Sequence, residues 1–310
     1  MPVNILYAAT PGKWETYQPT LTKALQATGL DFDLRNEFDP EAVDYIVYAS
    51  NSPLQDFTPY KNLKAVLNLW AGVEGIVGNK SLTVPLARMV DKGMTSGMVE
   101  WVTGHTLRHH LGMDRHILAK PGEWHPVAPP LARNRRVTVL GLGALGSACA
   151  TTLASLGFDV AGWSRSAKSI PGVTCHHGPE GLRAALEHGE ITILLMPNTP
   201  ETENTLNAET IAMLPRGAII LNPGRGPLID DAALLSALDT GQVGHATLDV
   251  FRVEPLPADH AYWTHPKVTV TPHIASETRP DTASEVIAEN IRRGEAGEPF
   301  LHLVDRTRGY

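Results

Sequence analysis

Residues 136–146 read Arg-Val-Thr-Val-Leu-Gly-Leu-Gly-Ala-Leu-Gly, and this stretch decides the fold. Residues 137–140 form a short run rich in β-branched side chains, which predicts a buried parallel strand. Glycines follow at 141, 143 and 146, in the G-x-G-x-x-G spacing that lets a backbone turn tightly and approach a pyrophosphate. A helix predicted over residues 144–156 would present its N-terminal N–H groups to that phosphate. A second strand, predicted over residues 158–163, completes a βαβ unit, and this context turns a weak motif into a dinucleotide-binding prediction.

The end of the second strand indicates which dinucleotide binds. A site for NAD(H) needs Asp or Glu there, to accept hydrogen bonds from the ribose 2′-OH. Asp159 lies too early in the strand, and the residues at its end are Ser164, Arg165, Ser166 and Lys168. A guanidinium group suits a 2′-phosphate in both charge and donor geometry. The sequence therefore predicts NADP(H) in preference to NAD(H), with a solvated surface arginine as the alternative.

The composition of the whole chain limits the class of protein. Its 310 residues allow two domains, and 43% hydrophobic with 19% charged residues is typical of a soluble globular protein. A net charge of −7 without a dense Lys/Arg cluster argues against a nucleic-acid surface. Two cysteines are too few for a disulfide framework, and the N-terminus begins with a predicted strand rather than a signal peptide. No run approaches the ~18 apolar residues of a membrane span. We therefore expect a cytoplasmic protein with neither a nucleic-acid nor a membrane partner.

Residues 1–98 are predicted to form a separate α/β unit with parallel strands. The pattern predicts a helix over residues 14–26 and strands over residues 3–9, 32–34, 45–48 and 65–69. Two loops begin where strands end, which is where ligands bind in such sheets. One begins at Tyr48; the other contains Trp70, Ala71, Gly72 and Val73. Gly72 would let backbone N–H groups approach an anion, although an ordinary turn is the alternative for each loop.

A helix predicted over residues 93–118 is long enough to bridge two domains. His105 and His109 lie four residues apart in it and could share a metal ion. No glutamate completes an H-E-x-x-H motif, and no cysteine pair is near. We therefore expect no metal site.

Polar residues follow three of the later predicted strands, at the point where each strand ends. Strands are predicted over residues 191–196, 218–222, 246–250 and 268–271, and helices over residues 182–188, 208–214 and 230–238. Arg225, residues 249–254 and His273 come after the last three strands. Because these strand ends share one edge of a doubly wound sheet with the glycine-rich loop, we expect them to converge.

Arginine, glutamate and histidine beside a nicotinamide ring support one type of chemistry. Arg225 lies between two glycines and can present its planar donors to a carboxylate. His273 can protonate a developing alkoxide, and Glu254 bonded to its other nitrogen would raise the imidazole pKa and fix its orientation. The predicted reaction is reduction of a 2-oxo acid to a 2-hydroxy acid, with His273 as general acid or base. Taken singly, each residue has a structural alternative: a capping arginine, a surface glutamate and a core histidine.

Several motifs, in this order, resemble the D-2-hydroxyacid dehydrogenase family. They are Gly141-Leu142-Gly143-Ala144-Leu145-Gly146, Pro197-Asn198-Thr199-Pro200-Glu201-Thr202, Asn222-Pro223-Gly224-Arg225-Gly226, the stretch Leu-Asp-Val-Phe-Arg-Val-Glu-Pro-Leu-Pro at residues 248–257, and Thr271-Pro272-His273-Ile274. Trp163-Ser164-Arg165-Ser166 and Thr278-Arg279-Pro280 resemble the glyoxylate/hydroxypyruvate reductase branch of that family.

The resemblance implies a fold and an assembly. Residues 99–276 would form a Rossmann domain for NADP, with a doubly wound parallel sheet. Residues 1–98 and 277–310 would form a discontinuous, flavodoxin-like substrate domain, in which the helix after Ser276 returns to pack on residues 1–98. The family is usually dimeric, with the helix and loops of residues 104–130 at the interface, so we expect a homodimer.

The resemblance also implies site residues. The catalytic set would be Arg225, Glu254 and His273. The cofactor would contact Gly141, Leu142, Gly143, Ala144, Leu145, Gly146, Ser164, Arg165, Ser166, Lys168, Met196, Pro197, Thr202, Pro223, Gly224, Arg225, Asp249, His273 and Ala275. The substrate would contact Tyr48, Trp70, Ala71, Gly72, Val73, Arg225 and His273, with the backbone amides of residues 70–73 holding its carboxylate.

Two departures from the branch leave the exact 2-oxo acid open. Residues 48–51 read Tyr-Ala-Ser-Asn where the branch usually has a tryptophan-histidine-proline type of loop, and Glu74 stands where aspartate is more common. One alternative is therefore a dehydrogenase for another 2-hydroxy acid. A second is a dinucleotide-sensing, corepressor-like binding protein, although the chain has no appended tail or basic patch.

Overall fold

The computed structural model describes residues 2–10, 12–124, 126–307 and 309. The chain divides into two compact units, one made of Met1–Met94 with Thr278–Tyr310 and the other of Thr95–Glu277. The predicted boundaries after residues 98 and 276 lie four residues and one residue from the observed ones. The first boundary falls inside a continuous helix, Lys92–His110, so no break in secondary structure marks it.

The described residues contain the following strands and α-helices. The strands are β1 (Val3–Ala8), β2 (Phe32–Arg35), β3 (Tyr45–Tyr48), β4 (Ala65–Asn68), β5 (Leu86–Ala87), β6 (Arg136–Leu140), β7 (Asp159–Ser164), β8 (Val173–His177), β9 (Ile191–Leu194), β10 (Ala218–Asn222), β11 (Val243–Leu248) and β12 (Val268–Val270). The helices are α1 (Trp14–Ala27), α2 (Lys92–His110), α3 (Met113–Ile117), α4 (Ala144–Ser155), α5 (Gly178–His188), α6 (Ala208–Ala212), α7 (Asp231–Thr240) and α8 (Pro280–Glu295).

The first unit is built on a five-stranded parallel sheet in the order β2-β1-β3-β4-β5. Every residue of β3 and β4 is buried, as expected for central parallel strands that are covered on both faces. The C-terminal helix α8 packs against α1, where the hydroxyl of Ser284 lies 2.9 Å from that of Thr20. The C-terminal segment is therefore an integral layer of this unit. The short strand β5 was not predicted.

The second unit is built on a seven-stranded parallel sheet in the order β12-β11-β10-β9-β6-β7-β8. The chain runs outward from β6 in one direction through β7 and β8, and then starts again at β9 and runs the other way. This reversal between β6 and β9 makes the sheet doubly wound, and the carboxyl ends beside it form the usual ligand-binding edge. Two separate apolar clusters form the cores of this unit. The fold class predicted from the glycine-rich motif is confirmed.

Of two helices predicted from local sequence signals, one is confirmed at both ends and the other is divided into two helices. The N-cap of α7 is Asp230, whose carboxylate accepts a hydrogen bond from Ala233 N at 3.0 Å, and Gly241 ends the helix with a φ of +73°. Both ends agree with the sequence prediction. The single helix predicted over residues 93–118 was wrong, because Gly112 takes a φ of +63° and separates α2 from α3. Across the described part of the chain, we find no helix with the length and apolar character needed to cross a membrane.

Candidate active site

The glycine-rich loop between β6 and α4 has the shape of a phosphate cradle. Gly141 has a φ of +105°, and a Cβ atom there would lie 2.5 Å from the carbonyl oxygen of Leu195. A Cβ atom on Gly146 would collide with the carbonyl oxygen of Gly141, so this glycine allows α4 to pack closely against the loop. Gly143 caps α4, is exposed, and has open space on its Cβ side. The loop therefore offers the first N–H groups of α4 to an anion.

The carboxyl end of β7 carries cationic and hydroxyl side chains. The Ser164 hydroxyl donates a hydrogen bond to the carbonyl of Ser166 at 2.8 Å, which fixes the turn after the strand. Arg165, Ser166 and Lys168 are exposed. Asp159 pairs with Arg136 at the opposite, amino end of the strand. The end of β7 thus has donors for a 2′-phosphate and no carboxylate for a ribose 2′-OH.

A network of threonine hydroxyls shapes the loop that follows β9 and the buried Met196. The Thr202 hydroxyl donates to the carbonyl of Pro197 at 2.7 Å and accepts a hydrogen bond from Thr199 N at 2.9 Å. A hydrogen bond from Thr199 and the positive charge of Arg165 lower the pKa of Glu201. The loop therefore lies close to the cationic segment at the end of β7.

Arg225 lies in a tight turn after β10 that Asn222 organises. The side-chain amide of Asn222 donates to the carbonyl of Arg225 at 3.0 Å, and its oxygen accepts from Gly224 N at 3.2 Å. A Cβ atom on Gly226 would overlap the backbone of Phe251. The guanidinium group of Arg225 donates to the carbonyl of Gly224 at 2.7 Å. Pro223, Gly224 and Gly226 are buried, so the turn is fixed while Arg225 itself stays partly exposed.

His273 and Glu254 form a hydrogen-bonded pair. Nδ1 of His273 lies 2.7 Å from Oε2 of Glu254, and half of the His273 side chain is exposed. The other carboxylate oxygen of Glu254 accepts a hydrogen bond from Phe251 N at 2.8 Å. The carboxylate of Glu254 is therefore held through both of its oxygens, and Nδ1 of His273 is occupied by its hydrogen bond with Glu254. Nε2 of His273 has no hydrogen-bond partner among the described residues and is the nitrogen left for chemistry.

The surroundings of this pair favour a protonated imidazole beside a charged carboxylate. The hydrogen bond with Glu254 raises the pKa of His273; burial opposes this shift, and the negative charge of Glu254 adds to it. Burial by itself would raise the pKa of Glu254, but hydrogen bonds from His273 and Phe251 and the charges of His273 and Arg225 outweigh burial and lower it. The charge of Arg225 acts on both groups, which indicates that all three lie in one electrostatic environment.

Asp249 shapes the loop that carries His273. Asp249 is fully buried, and its Oδ1 accepts hydrogen bonds from the Thr271 hydroxyl at 2.6 Å and from Ile274 N at 3.0 Å. Its Oδ2 accepts from Ala275 N at 2.9 Å, and its backbone carbonyl accepts from His273 N at 2.8 Å. These bonds hold His273 at a φ of +54°, a left-handed conformation that is unfavourable for a residue with a Cβ atom. The Asp249 carboxylate therefore positions the loop that carries His273.

The predicted substrate loop belongs to the first unit. Trp70 is 38% exposed, Ala71 and Gly72 are partly exposed, and Val73 is buried. Tyr48 is completely buried, and its hydroxyl donates to the carbonyl of Leu54 at 3.1 Å. The structure therefore contradicts a substrate contact by the Tyr48 side chain, because a central strand of a parallel sheet buries both of its faces.

Residues that hold the catalytic groups were not predicted. Asn222 fixes the turn of Arg225, Thr271 anchors Asp249, and Asn68 at the end of β4 bonds to the loop of residues 70–73. Each is a polar residue at the carboxyl end of, or just after, a strand of a parallel sheet, and this position is the signal that could have found them. Among the residues that the structure describes, no cluster of three or more His, Cys, Asp or Glu side chains is arranged to hold a metal ion.

Comparison with known proteins places this geometry in a family. Residues 103–275 match the model of the D-isomer specific 2-hydroxyacid dehydrogenase NAD binding domain. Glyoxylate/hydroxypyruvate reductase A of Yersinia enterocolitica is 39% identical over 280 residues, which cover 88% of this chain and 89% of that protein. The protein of the same name from Serratia proteamaculans is 42% identical over 256 residues, covering 80% of this chain and 82% of that protein.

Solved structures agree with the sequence relatives. A D-isomer specific 2-hydroxyacid dehydrogenase from Xanthobacter autotrophicus Py2, in complex with NADPH and MES, has a TM-score of 0.92 at 44% identity, with full coverage of both chains. The NADPH-dependent glyoxylate/hydroxypyruvate reductase of Sinorhizobium meliloti, in complex with NADP and sulfate, has a TM-score of 0.87 at 34% identity, covering 100% of this chain and 99% of that one. This chain is therefore a member of the D-isomer specific 2-hydroxyacid dehydrogenase family, a family of oxidoreductases.

Proposed function

We propose that this protein reduces the small 2-oxo acids glyoxylate and hydroxypyruvate to 2-hydroxy acids with NADPH. The observation that carries the proposal is the hydrogen-bonded pair of His273 and Glu254, at the same edge of the sheet as Arg225 and the glycine-rich loop. The names of two relatives that are 39% and 42% identical support this choice of substrates. The cofactors in the two solved structures support NADP(H).

The residues of the second unit fit an NADP(H) molecule. The open side of Gly143 and the first N–H groups of α4 would hold the diphosphate, and a side chain at position 141 or 146 would disturb this cradle. Arg165, with Ser164, Ser166 and Lys168, would hold the 2′-phosphate. The proposed lining is completed by Leu142, Ala144, Leu145, Met196, Pro197, Thr202, Pro223, Gly224 and Ala275. When bound, the nicotinamide supplies the hydride.

The three catalytic side chains have separate roles in the proposed reaction. The guanidinium group of Arg225 binds the carboxylate of the 2-oxo acid and polarises the neighbouring carbonyl. Protonated His273 donates its Nε2 proton to the oxygen that becomes the hydroxyl, and neutral His273 accepts that proton in the reverse direction. Glu254 keeps Nδ1 occupied and favours the protonated form of the imidazole, because it raises the pKa of His273.

The first unit is proposed as the substrate-binding domain. Trp70, Ala71, Gly72 and Val73 would hold the substrate carboxylate, chiefly with backbone N–H groups. Gly72 lets the backbone come close to an anion because it has no side chain.

A panel of substrates and cofactors tests the proposed function. We expect kcat/KM with NADPH to be higher for glyoxylate and hydroxypyruvate than for pyruvate and phenylpyruvate. NADPH should be preferred to NADH by about tenfold or more, equivalent to ~1.4 kcal/mol. Arg165→Ala should reduce that preference, while the exposed Arg183→Ala serves as a control without effect. No turnover of any 2-oxo acid, or a wild-type preference for NADH, would contradict the proposal.

A homodimer is proposed from an exposed apolar segment in the second unit. Ile117, Leu118, Trp124, Val127 and Leu131 are 71%, 78%, 87%, 61% and 56% exposed. A run of large exposed apolar side chains is typical of a protein–protein interface. Analytical ultracentrifugation should give twice the chain mass of 33.5 kDa, and Trp124→Glu should lower it. A monomeric wild type would contradict this assembly.

A reducing compartment, the cytoplasm, is proposed from the cysteines. Cys149 and Cys175 are both free, and burial raises the pKa of the Cys149 thiol to about 12. A buried thiol with a raised pKa is unreactive, so the fold depends on no disulfide. Equal thermal stability with and without reductant is the expected result.

A further inference from the structure

Asn68 is a buried polar residue whose place in the sheet calls for an explanation. It is the last residue of β4, in the run Ala-Val-Leu-Asn, and only 1% of it is exposed. Burying an amide costs free energy unless its polar atoms find partners. The Oδ1 atom of Asn68 is buried without a hydrogen-bond partner in the described structure. Whatever favours asparagine here must therefore come from its Nδ2 group.

Nδ2 of Asn68 holds two carbonyl groups of the loop of residues 70–73. It donates to the carbonyl of Trp70 and to that of Gly72, each at 2.9 Å. An amide oxygen in this position would face two carbonyl oxygens, so the assignment of nitrogen to it follows from the contacts. Met89 N gives the Trp70 carbonyl a second donor at 3.0 Å. Among the described residues, Asn68 is the one hydrogen-bond donor to the Gly72 carbonyl.

Because the two carbonyl groups are fixed, the directions of two backbone N–H groups in the same loop are fixed as well. In a trans peptide the C=O and the following N–H point in opposite directions. Because the carbonyls of Trp70 and Gly72 point toward Asn68, the N–H groups of Ala71 and Val73 point away from it. In the described part of the structure neither N–H donates to an acceptor. The loop therefore presents two unpaired backbone donors, which is the arrangement that an anion needs.

We propose that Asn68 is a positioning residue that holds this loop in its carboxylate-binding conformation. The inference rests on the proposed function, in which residues 70–73 bind the carboxylate of the 2-oxo acid. Asn68 never touches the substrate; it acts through the peptides of the loop. Of the two peptides, the one between Gly72 and Val73 depends on Asn68, because Met89 still holds the Trp70 carbonyl.

Substitution of Asn68 should therefore change substrate binding and leave cofactor binding alone. Asn68→Leu has a similar volume and donates no hydrogen bond, so the peptide between Gly72 and Val73 is free to rotate. We expect KM for glyoxylate to rise about tenfold, as the loss of one hydrogen bond to a charged group would give. KM for NADPH should stay within about twofold, since the diphosphate cradle belongs to the second unit. The inhibition constant of oxamate, an unreactive 2-oxo acid analogue, should rise in parallel with KM for glyoxylate.

A matched control separates positioning from general loss of stability. Asn290 belongs to the same unit, is also 1% exposed, and accepts a hydrogen bond from Leu301 N at 2.7 Å. Asn290→Leu should lower the melting temperature without raising KM for glyoxylate. Should Asn68→Leu fail to fold, Asn68→Ser keeps one hydroxyl donor in a smaller side chain and should give a smaller rise of KM.

The outcomes distinguish this inference from the proposed function. A rise of KM and of the oxamate constant in the Asn68 variants, with unchanged KM for NADPH, supports positioning. Values for the Asn68 variants within twofold of wild type, or equal effects of Asn290→Leu, overturn positioning and leave the proposed function intact. A wild-type protein that reduces no 2-oxo acid overturns both.

Discussion

Two groups of histidines in the second unit have the same side chain and pKa shifts of opposite sign. His273 bonds to the carboxylate of Glu254 at 2.7 Å, and the pKa of His273 is raised. His109 lies 2.9 Å from the hydroxyl of Thr247, and its ring is 4.9 Å from that of His245. Burial lowers the pKa of His109 to about 3 and that of His245 to about 4, and nearby positive charge adds to both shifts. Partner and burial, rather than the imidazole itself, decide where the proton stays.

The position of each group in the sheet explains the difference. His273 follows the last strand, at the carboxyl edge of the sheet, where half of its side chain reaches solvent. His109 lies on α2 and contacts β11, where His245 and Thr247 are two residues apart and share one face. The contacts of His109 are a hydroxyl group and a second imidazole, and the negative charge of Asp114 nearby offsets only part of the effect of burial on the two pKa values. Of the two groups, only His273 has a raised pKa, and this shift favours the protonated form that a general acid needs.

The largest expected effect comes from exchanging His273. His273→Ala removes the proposed proton donor, so kcat for glyoxylate should fall about 100- to 10,000-fold, the usual contribution of a general acid. Binding of NADPH, measured by the change in its fluorescence, should stay within about twofold because the cradle around Gly143 is intact.

The matched control for this change is His109→Gln, whose amide can keep the hydrogen bond to Thr247. Neutral His109 takes no part in proton transfer, and its loss should leave kcat unchanged. Similar losses of kcat in the two variants would mean that His273 has a structural role only. The two groups of histidines would then not differ in their role in proton transfer.

The next effect concerns the pH at which activity is lost. Reduction needs protonated His273, so kcat/KM should decrease as pH rises through its raised pKa. Glu254→Gln removes the charge that raises this pKa, and the decrease should move to lower pH, with a loss of about tenfold near pH 7. Rates for glyoxylate between pH 5 and pH 9 measure the shift.

Glu203→Gln is the control for removing a carboxylate, because Glu203 pairs with Arg252 at the surface, at 3.2 Å. Its pH profile should match that of wild type. An unshifted profile in Glu254→Gln would show that the carboxylate merely orients the ring.

The second unit was predictable because its signals are local. The glycine spacing, the β-branched run before it and the capping residues of α7 each act within a few residues of sequence. What was missed lacks such signals. The run Val-Thr-Cys-His-His of β8 has no buried residue, and β5 has only two residues, so neither pattern indicates a strand.

The catalytic groups were predictable for a related reason, and their supports were not. Arg225, Glu254 and His273 follow strands, and parallel topology brings strand ends to one edge. The roles of Asn222, Asp249 and Asn68 depend on which carbonyls and amides their loops turn toward them, and that conformation exists only in the folded chain. Tyr48 was misjudged because four consecutive buried residues in β3 leave no alternation to tell inside from outside.

The last expected effect is on stability rather than on activity, and it has opposite signs for the two groups of histidines. His109 and His245 have folded pKa values below the unfolded value of ~6.5, so the unfolded chain binds more protons between these pH values. Their stabilisation is present above pH ~6.5 and is lost as pH falls, by about 1 kcal/mol per pH unit for each histidine. The raised pKa of His273 works in the other direction: its stabilisation is present below pH ~6.5 and is lost as pH rises through the folded pKa.

Urea unfolding at pH 7 and pH 5 measures how the free energy of unfolding changes with the protonation of the buried histidines. Both pH values lie above those at which most carboxylates become protonated. The free energy of unfolding should be lower at pH 5 in wild type. His109→Gln removes one of the buried titrating groups and should make that decrease smaller. His105 and His110, whose pKa values are also lowered by burial, keep it from vanishing. Exposed His116→Gln should leave the decrease unchanged. If His109→Gln and wild type lose the same free energy between pH 7 and pH 5, His109 is charged in the folded state, and the histidine pair at β11 differs from His273 in position but not in protonation.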